Sequence, residues 1–398
     1  MNNHERLVTM PNISNVRFDL VFENTTTLQI PSNRSNALVV SSGTWFVWPF
    51  RFKYSNVQIG WATAQILCSV QIEKNKSVLI LVASSNVDVE IAIDSSESIT
   101  IHGSTATSSL ESPWTVVRNI VPSTSSQITV STKLDIVVLP HDLADRVWKG
   151  TFLGKDRVFI SDENVNFVLT TENEIQIRAN TSQIDAFSTM NVNVSMLPYC
   201  PVSLNEEEKT LNTSPDGMFT RVHIPIQTRP LPAITWNLQK QAHVLRPLVN
   251  ASSGKIQEPT CEDWKHFASE YDVIINYTSA YDKRDELRLA VQYDGDSARF
   301  LFNDKLLADN WFSGYDEGAG QMEVGLSYLS EENPGLLLTA STVHCTLKLL
   351  PLNKKVIDSR IYIQSGHWPK FNESGIALGV RNLVPLRITY ATLVSSSL

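Results

Sequence analysis

The residues from Tyr281 to Gly314, YDKRDELRLAVQYDGDSARFLFNDKLLADNWFSG, leave few choices of fold. Leu287, Leu289, Val291 and Tyr293 alternate with Glu286, Arg288 and Gln292. That period of two belongs to a half-buried strand and cannot sit still as a helix. Asp294-Gly295-Asp296 supplies a turn, and Ala298, Phe300 and Phe302 resume the alternation. Asn303-Asp304 is a second tight turn, after which Leu306-Leu307-Ala308 returns. The stretch is expected to form two or three antiparallel hairpin strands of a jelly-roll sandwich. It ends in an aromatic loop, Asp309 to Gly314.

The same short periods recur along the 398 residues. Val16 to Leu20 and Thr27 to Ile30 look like strands. Further runs are Val78 to Ala83, Val87 to Ile93, Ile99 to Ile101, Trp114 to Val117, Ile128 to Val130 and Leu134 to Leu139. Ser- and Thr-rich turns separate them, as in an antiparallel sandwich. Trp45, Trp48 and Phe50 are expected in its core, since aromatics supply much of the burial there. His141 to Trp148 is read as one short helix with Asp142 as its cap, and Thr260-x-x-Asp263 as a capping box opening a helix to Glu270. Prolines at 201, 215, 225, 230, 232, 247 and 259 break the intervening pattern. The expected class is therefore all-β. One sandwich module covers residues 1–200, a Pro-rich linker covers 201–259 with one strand at Arg221 to Ile226, and a second sandwich covers 260–398. The second module is expected to close through Leu347 to Leu350, Ile361 to Gln364 and Leu386 to Thr389.

Several segments carry a family likeness. They are Phe46-Val47-Trp48-Pro49-Phe50 followed by Ala62-Thr63-Ala64-Gln65, then Gly154 to Asp162, and finally Leu306 to Gly314. In this order they resemble the β-domains of glycoside hydrolase family 35 β-galactosidases, in the bacterial-type branch. The resemblance implies that the second sandwich is a galactose-binding-like jelly roll. It implies that the complete enzyme removes terminal β-galactosyl residues. The family's two catalytic glutamates sit on a (β/α)8 barrel of ~250 residues, and a chain with two short helices holds no such barrel. Met1-Asn2-Asn3-His4-Glu5-Arg6 resembles a strand that follows the barrel in the family. The expectation is thus a non-catalytic portion, with a catalytic barrel as partner in cis or in trans. A strand cut there is expected to leave Met1 to Leu20 labile and the chain prone to self-association.

Composition narrows the alternatives. A net charge of −8 and the lack of basic clusters argue against a nucleic-acid partner. No apolar run is long enough to span a membrane. Ten Asn-x-Ser/Thr sequons, at Asn12, Asn24, Asn33, Asn75, Asn180, Asn193, Asn212, Asn250, Asn276 and Asn372, are glycosylation candidates. They favour a secretory or extracellular setting, although no leader opens the sequence. Cys68, Cys200, Cys261 and Cys345 allow three pairings, a Cys200–Cys261 bridge among them, and none has metal-site spacing. Cys68 reads as a buried thiol. No nucleophile elbow, metalloprotease helix, phosphate loop or dinucleotide fingerprint is present, so catalytic residues, metal and cofactor are expected to be none. His141 beside Asp142 reads as a residue at a helix start.

One set of residues suits a ligand. Asp309, Asn310 and Trp311 would offer a sugar an aromatic face and polar groups for its hydroxyls. The competing reading has Asp309 and Asn310 serving the turn and Trp311 packed away. Three readings therefore stand: a non-catalytic β-portion of a β-galactosidase-like hydrolase, a free-standing lectin-like protein that takes galactosides or other glycans, or a purely structural or adhesive β-protein.

Overall fold

The computed structural model describes residues 11–21, 27–32, 38–41, 46–84, 87–103, 105–163, 165–180, 188–204, 210–242, 244–245, 258–277, 285–312, 321–326, 342–354 and 368–396. The fold is all-β, and the helices named in it are short, His141–Ala144 and Cys261–His266. The chain forms two compact units. One comprises Met1–Arg178, Asn191–Pro225 and Ala391–Leu398, the other Ala179–Met190 and Ile226–Tyr390.

In the first unit, one sheet has the order Thr107–Glu111, Trp114–Ile120, Val89–Asp94, Val57–Ala62, Phe50–Tyr54. A second has the order Ile99–His102, Gln127–Val130, Leu134–Leu139, Lys76–Ala83, Ala64–Glu73. Between them Val57, Ile59, Ile91 and Ile93 meet Leu79, Leu81, Ile136 and Val138. The second sheet is covered on its other face too. Val78, Ile80, Val137 and Leu139 pack against Val158, Ile160, Leu197 and Phe219 of a third sheet. That sheet runs Val147–Phe152, Lys155–Ser161, Ser188–Leu197, Phe219–Thr228, Thr213–Asp216 and lies almost wholly in this unit. A strand buried on both faces favours a near-continuous apolar run, broken here only where Asp135 pairs with Lys76 at 2.7 Å. That is why VLILVA and LDIVVL lack the alternation of their neighbours. These two strands also run parallel, with Leu134 opposite Ser77 and Leu139 opposite Val82. Each fully buried aliphatic side chain there contributes about 1.5–3 kcal/mol.

The outer face of the first sheet carries an aromatic layer. Trp48 is only 8% exposed, stacks on Phe46 at 4.2 Å and takes Phe18 edge-on at 5.8 Å. Phe50 departs from the expected core position. It begins the edge strand of the sheet and is 37% exposed. Trp45 lies outside the described residues. Thr63, in the Ala-Thr-Ala-Gln segment, is fully buried. Its hydroxyl donates to the Asp88 carbonyl and accepts from the Glu90 amide, both at 2.8 Å.

The second unit is a two-sheet sandwich. One sheet runs Ala233–Lys240, Ser269–Asn276, Thr342–Leu350, Ser297–Phe302, Lys305–Trp311. Facing it are Gln321–Gly325, Asp285–Asp294 and the part of Gly379–Ser395 that pairs with it. Leu287, Leu289, Val291 and Tyr293 from one sheet and Ala298, Phe300 and Phe302 from the other share one core. The Asp294-Gly295-Asp296 turn is therefore not the hairpin the alternation suggested; it carries the chain across the sandwich. The crossing is tight, since a Cβ on Gly295 would stand 2.8 Å from the Leu350 carbonyl. That carbonyl accepts from the Asp296 amide at 2.8 Å. Asp294 secures the corner, its Oδ2 accepting from Arg381 Nε at 2.8 Å.

Other expectations shift. Among the described residues, the stretch 201–259 contains four strands, Val202–Leu204, Thr213–Asp216, Phe219–Thr228 and Ala233–Lys240. Pro215 is tolerated because Thr213–Asp216 is a sheet edge, where a missing N–H costs nothing. The first helix stops at Ala144, has Pro140 as N-cap and receives no side-chain cap, so Asp142 does not serve there. Trp148 stands instead in the strand Val147–Phe152. Thr260 and Asp263 do form the capping box, but the helix ends at His266 and Glu270 belongs to the next strand. All four cysteines are free thiols, so the Cys200–Cys261 bridge is not formed. Burial raises the Cys68 thiol, which is half-buried, above its ordinary pKa. Met1 to Met10 and Ile361 to Gln364 lie outside the described residues.

Candidate functional site

Asp309, Asn310 and Trp311 stand at the end of the edge strand Lys305–Trp311, not in a loop. Strand alternation separates them. Asn310 turns to the core side, where its Oδ1 accepts from the Tyr293 hydroxyl at 2.8 Å. Its carbonyl accepts from Ser297 Oγ at 3.0 Å. Asp309 and Trp311 share the other face, opposite Arg299 and Ser297 respectively. Trp311 is 46% exposed and Asp309 is exposed. The structure thus brings two of the three residues together on an open sheet edge and gives the third to the frame. Behind them Arg299 lies over the buried Trp264 ring at 4.5 Å.

A second constellation escapes the sequence. Four strands of the first unit's third sheet, together with the short helix, line a cavity of about 160 Å³. Its charged groups are Asp162, Asp216, Arg146 and Arg221, and Leu143 and Ile160 give it an apolar wall. Thr124 reaches in from a neighbouring loop. The two-residue hairpin turn Gly217-Met218 makes this possible, since Gly217 has φ +62° and a Cβ there would strike the Thr124 carbonyl at 2.1 Å. Thr124 Oγ1 donates to Asp216 Oδ1 at 2.8 Å, while Ser195 Oγ and Arg221 Nη2 donate to Asp216 Oδ2. Burial opposes the Asp216 carboxylate, but these donors and the Arg221 charge outweigh it and hold its pKa below the ordinary value.

Asp162 is held differently. Its Oδ2 accepts from the Asn193 amide at 2.8 Å and from Asn193 Nδ2 at 2.9 Å. This orients the Asn193 side chain so that Oδ1 meets His223 Nδ1 at 2.7 Å. Nδ1 must then carry the hydrogen, and Nε2 pairs with the Ser214 hydroxyl at 3.0 Å. The order of groups is that of a base and its orienting partner. Neither Ser214 nor His223 lines the cavity, however, so the chain of bonds acts by locking Asn193 and Asp162 into its wall. The one available signal was the Asp216-Gly217 pair between alternating runs, a hairpin cue masked by the surrounding prolines.

Of the sequons, Asn12, Asn75, Asn180, Asn212 and Asn372 are exposed, and Asn193 and Asn276 are half-buried. Asn24, Asn33 and Asn250 lie outside the described residues. His141 is exposed and faces Asp145 at 3.5 Å. Among the described residues no three His, Cys, Asp or Glu side chains gather as metal ligands, and no helix is long and apolar enough to cross a membrane.

No family model matches the chain, and no curated protein does. Among solved structures, one similar chain is a rhamnosidase from Novosphingobium sp. PP1Y, with TM-score 0.22 and 11% identity over 65% of this chain and 27% of that one. Another is a GH31 α-xylosidase from Xanthomonas citri, with TM-score 0.14 and 8% identity over 84% of this chain and 38% of that one. Both are glycoside hydrolases, and this chain spans well under half of either.

Proposed function

We propose that this chain is a glycoside-hydrolase-associated β-sandwich portion of β-galactosidase type, with its second unit a galactose-binding-like jelly roll. It acts beside a catalytic barrel domain and not as the hydrolase itself. The observation that carries this reading is the placement of the Asp285–Trp311 segment. The residues of this segment that resemble family 35, from Leu306 on, form the edge strand that presents Trp311 beside Asp309, next to the sandwich crossing at Gly295. An aromatic face with a neighbouring carboxylate suits a galactoside, whose C–H face stacks while its hydroxyls donate. The sequons support a secretory setting for it.

The free-standing lectin-like reading draws on the same exposure of Trp311, and one assay bears on both. The purified chain is expected to hydrolyse a chromogenic β-galactoside no faster than buffer. Turnover that travels with the protein and vanishes when one of its carboxylates is substituted would contradict the non-catalytic assignment.

A further inference from the structure

We propose that the cavity beside Asp162 and Arg146 is a binding site for one neutral monosaccharide ring, separate from the Trp311 edge. Size comes first. At about 160 Å³, the cavity resembles the ~150 Å³ space that holds a single benzene-sized ring. The cavity opens to solvent on one side, so it has room for one ring of a sugar with the remainder outside.

The free valences come next. Asp216 is already engaged at both oxygens, by Thr124 at Oδ1 and by Ser195 and Arg221 at Oδ2. Asp162 is not. Both donors from Asn193 reach Oδ2, and Oδ1 accepts nothing from the described residues. Arg146 uses only Nε, which donates to the Asp142 carbonyl at 3.3 Å. Its two terminal nitrogens have no partner among the described residues, and no ion pair forms with Asp162. The cavity therefore presents an acceptor and a set of donors that do not satisfy each other.

An anion would meet Asp162, and a cation would meet Arg146. With two carboxylates and two guanidiniums on the wall, neither sign of ligand charge is favoured. A hydroxyl answers both groups at once, donating to Asp162 and accepting from Arg146, and a vicinal diol does so with two atoms. Leu143 and Ile160 match the C–H face of such a ring. The Asn193–His223–Ser214 chain holds Asp162 in place before any ligand arrives, which lowers the cost of binding.

The test uses the full chain with methyl-labelled Leu and Ile, titrated separately with D-galactose, D-glucose, D-xylose and L-rhamnose. A Kd on the order of 1 mM sets the range. Saturable shifts are expected at the Leu143 and Ile160 methyls with at least one sugar, in the parent and equally in Trp311→Ala. Arg146→Ala and Asp162→Asn should each weaken them by about tenfold or more. Methyls that stay still in the parent well above that range would overturn the site, whatever the variants do, and leave it to ordered water. Shifts unchanged in both cavity variants would overturn it equally. Shifts lost only in Trp311→Ala would overturn the cavity while leaving the edge-strand reading intact.

Discussion

Trp48 shows how far a single aromatic commits the first unit. Its ring is buried among Phe18, Phe46 and Trp61, and truncation would open a cavity that stiff β-neighbours fill poorly. Trp48→Ala should cost ~3–5 kcal/mol, read from chemical denaturation; a midpoint equal to the parent's would contradict the packing. This burial was legible, because Trp-Pro-Phe sits amid apolar runs. The exposure of Phe50 two residues on was not, since it depends on which strand ends the sheet. Asp216 offers a pH test. Its folded pKa is depressed, so its contribution to stability is fully present above the unfolded value of about 3.9. That contribution disappears as pH falls through the folded value. The stability gap between parent and Asp216→Asn should therefore be flat near neutrality and shrink in acid. A gap that widens on acidification would contradict the assignment.

Element by element, existence was more legible than pairing. Alternation located the Asp285–Asp294 and Ser297–Phe302 strands closely, yet it could not tell a hairpin from a crossing, because both need only a short turn. The deciding fact is the approach of the Leu350 carbonyl to Gly295, a contact from 55 residues away, as 350 less 295 gives. Gly295→Ala should force that corner apart and cost about 1–3 kcal/mol. Calorimetric melting of the variant tests it, and an unchanged melt would mean the corner is slack. The prolines between 201 and 259 misled for a related reason. Pro215 stands on a sheet edge and Pro230 and Pro232 lie between two strands, and an edge is a property of the assembled sheet. The cavity stayed invisible because its walls come from residues 124, 143–146, 160–162, 193–195 and 216–221, which no local pattern links.

At the scale of the whole molecule, the all-β class followed from periodicity, and the third sheet did not. Continuous apolar runs such as VLILVA say that a strand is covered twice without saying by what. The functional reading rests on a sandwich edge that presents Trp311 and Asp309, with Asn310 withdrawn into the frame. Its most direct test is a calorimetric titration of the intact chain and of Trp311→Ala with an oligosaccharide ending in β-galactose. The account predicts saturable binding to the parent, weakened about tenfold or more in the variant, with the same melting temperature for both. No binding to the parent, or equal binding to both proteins, would contradict it.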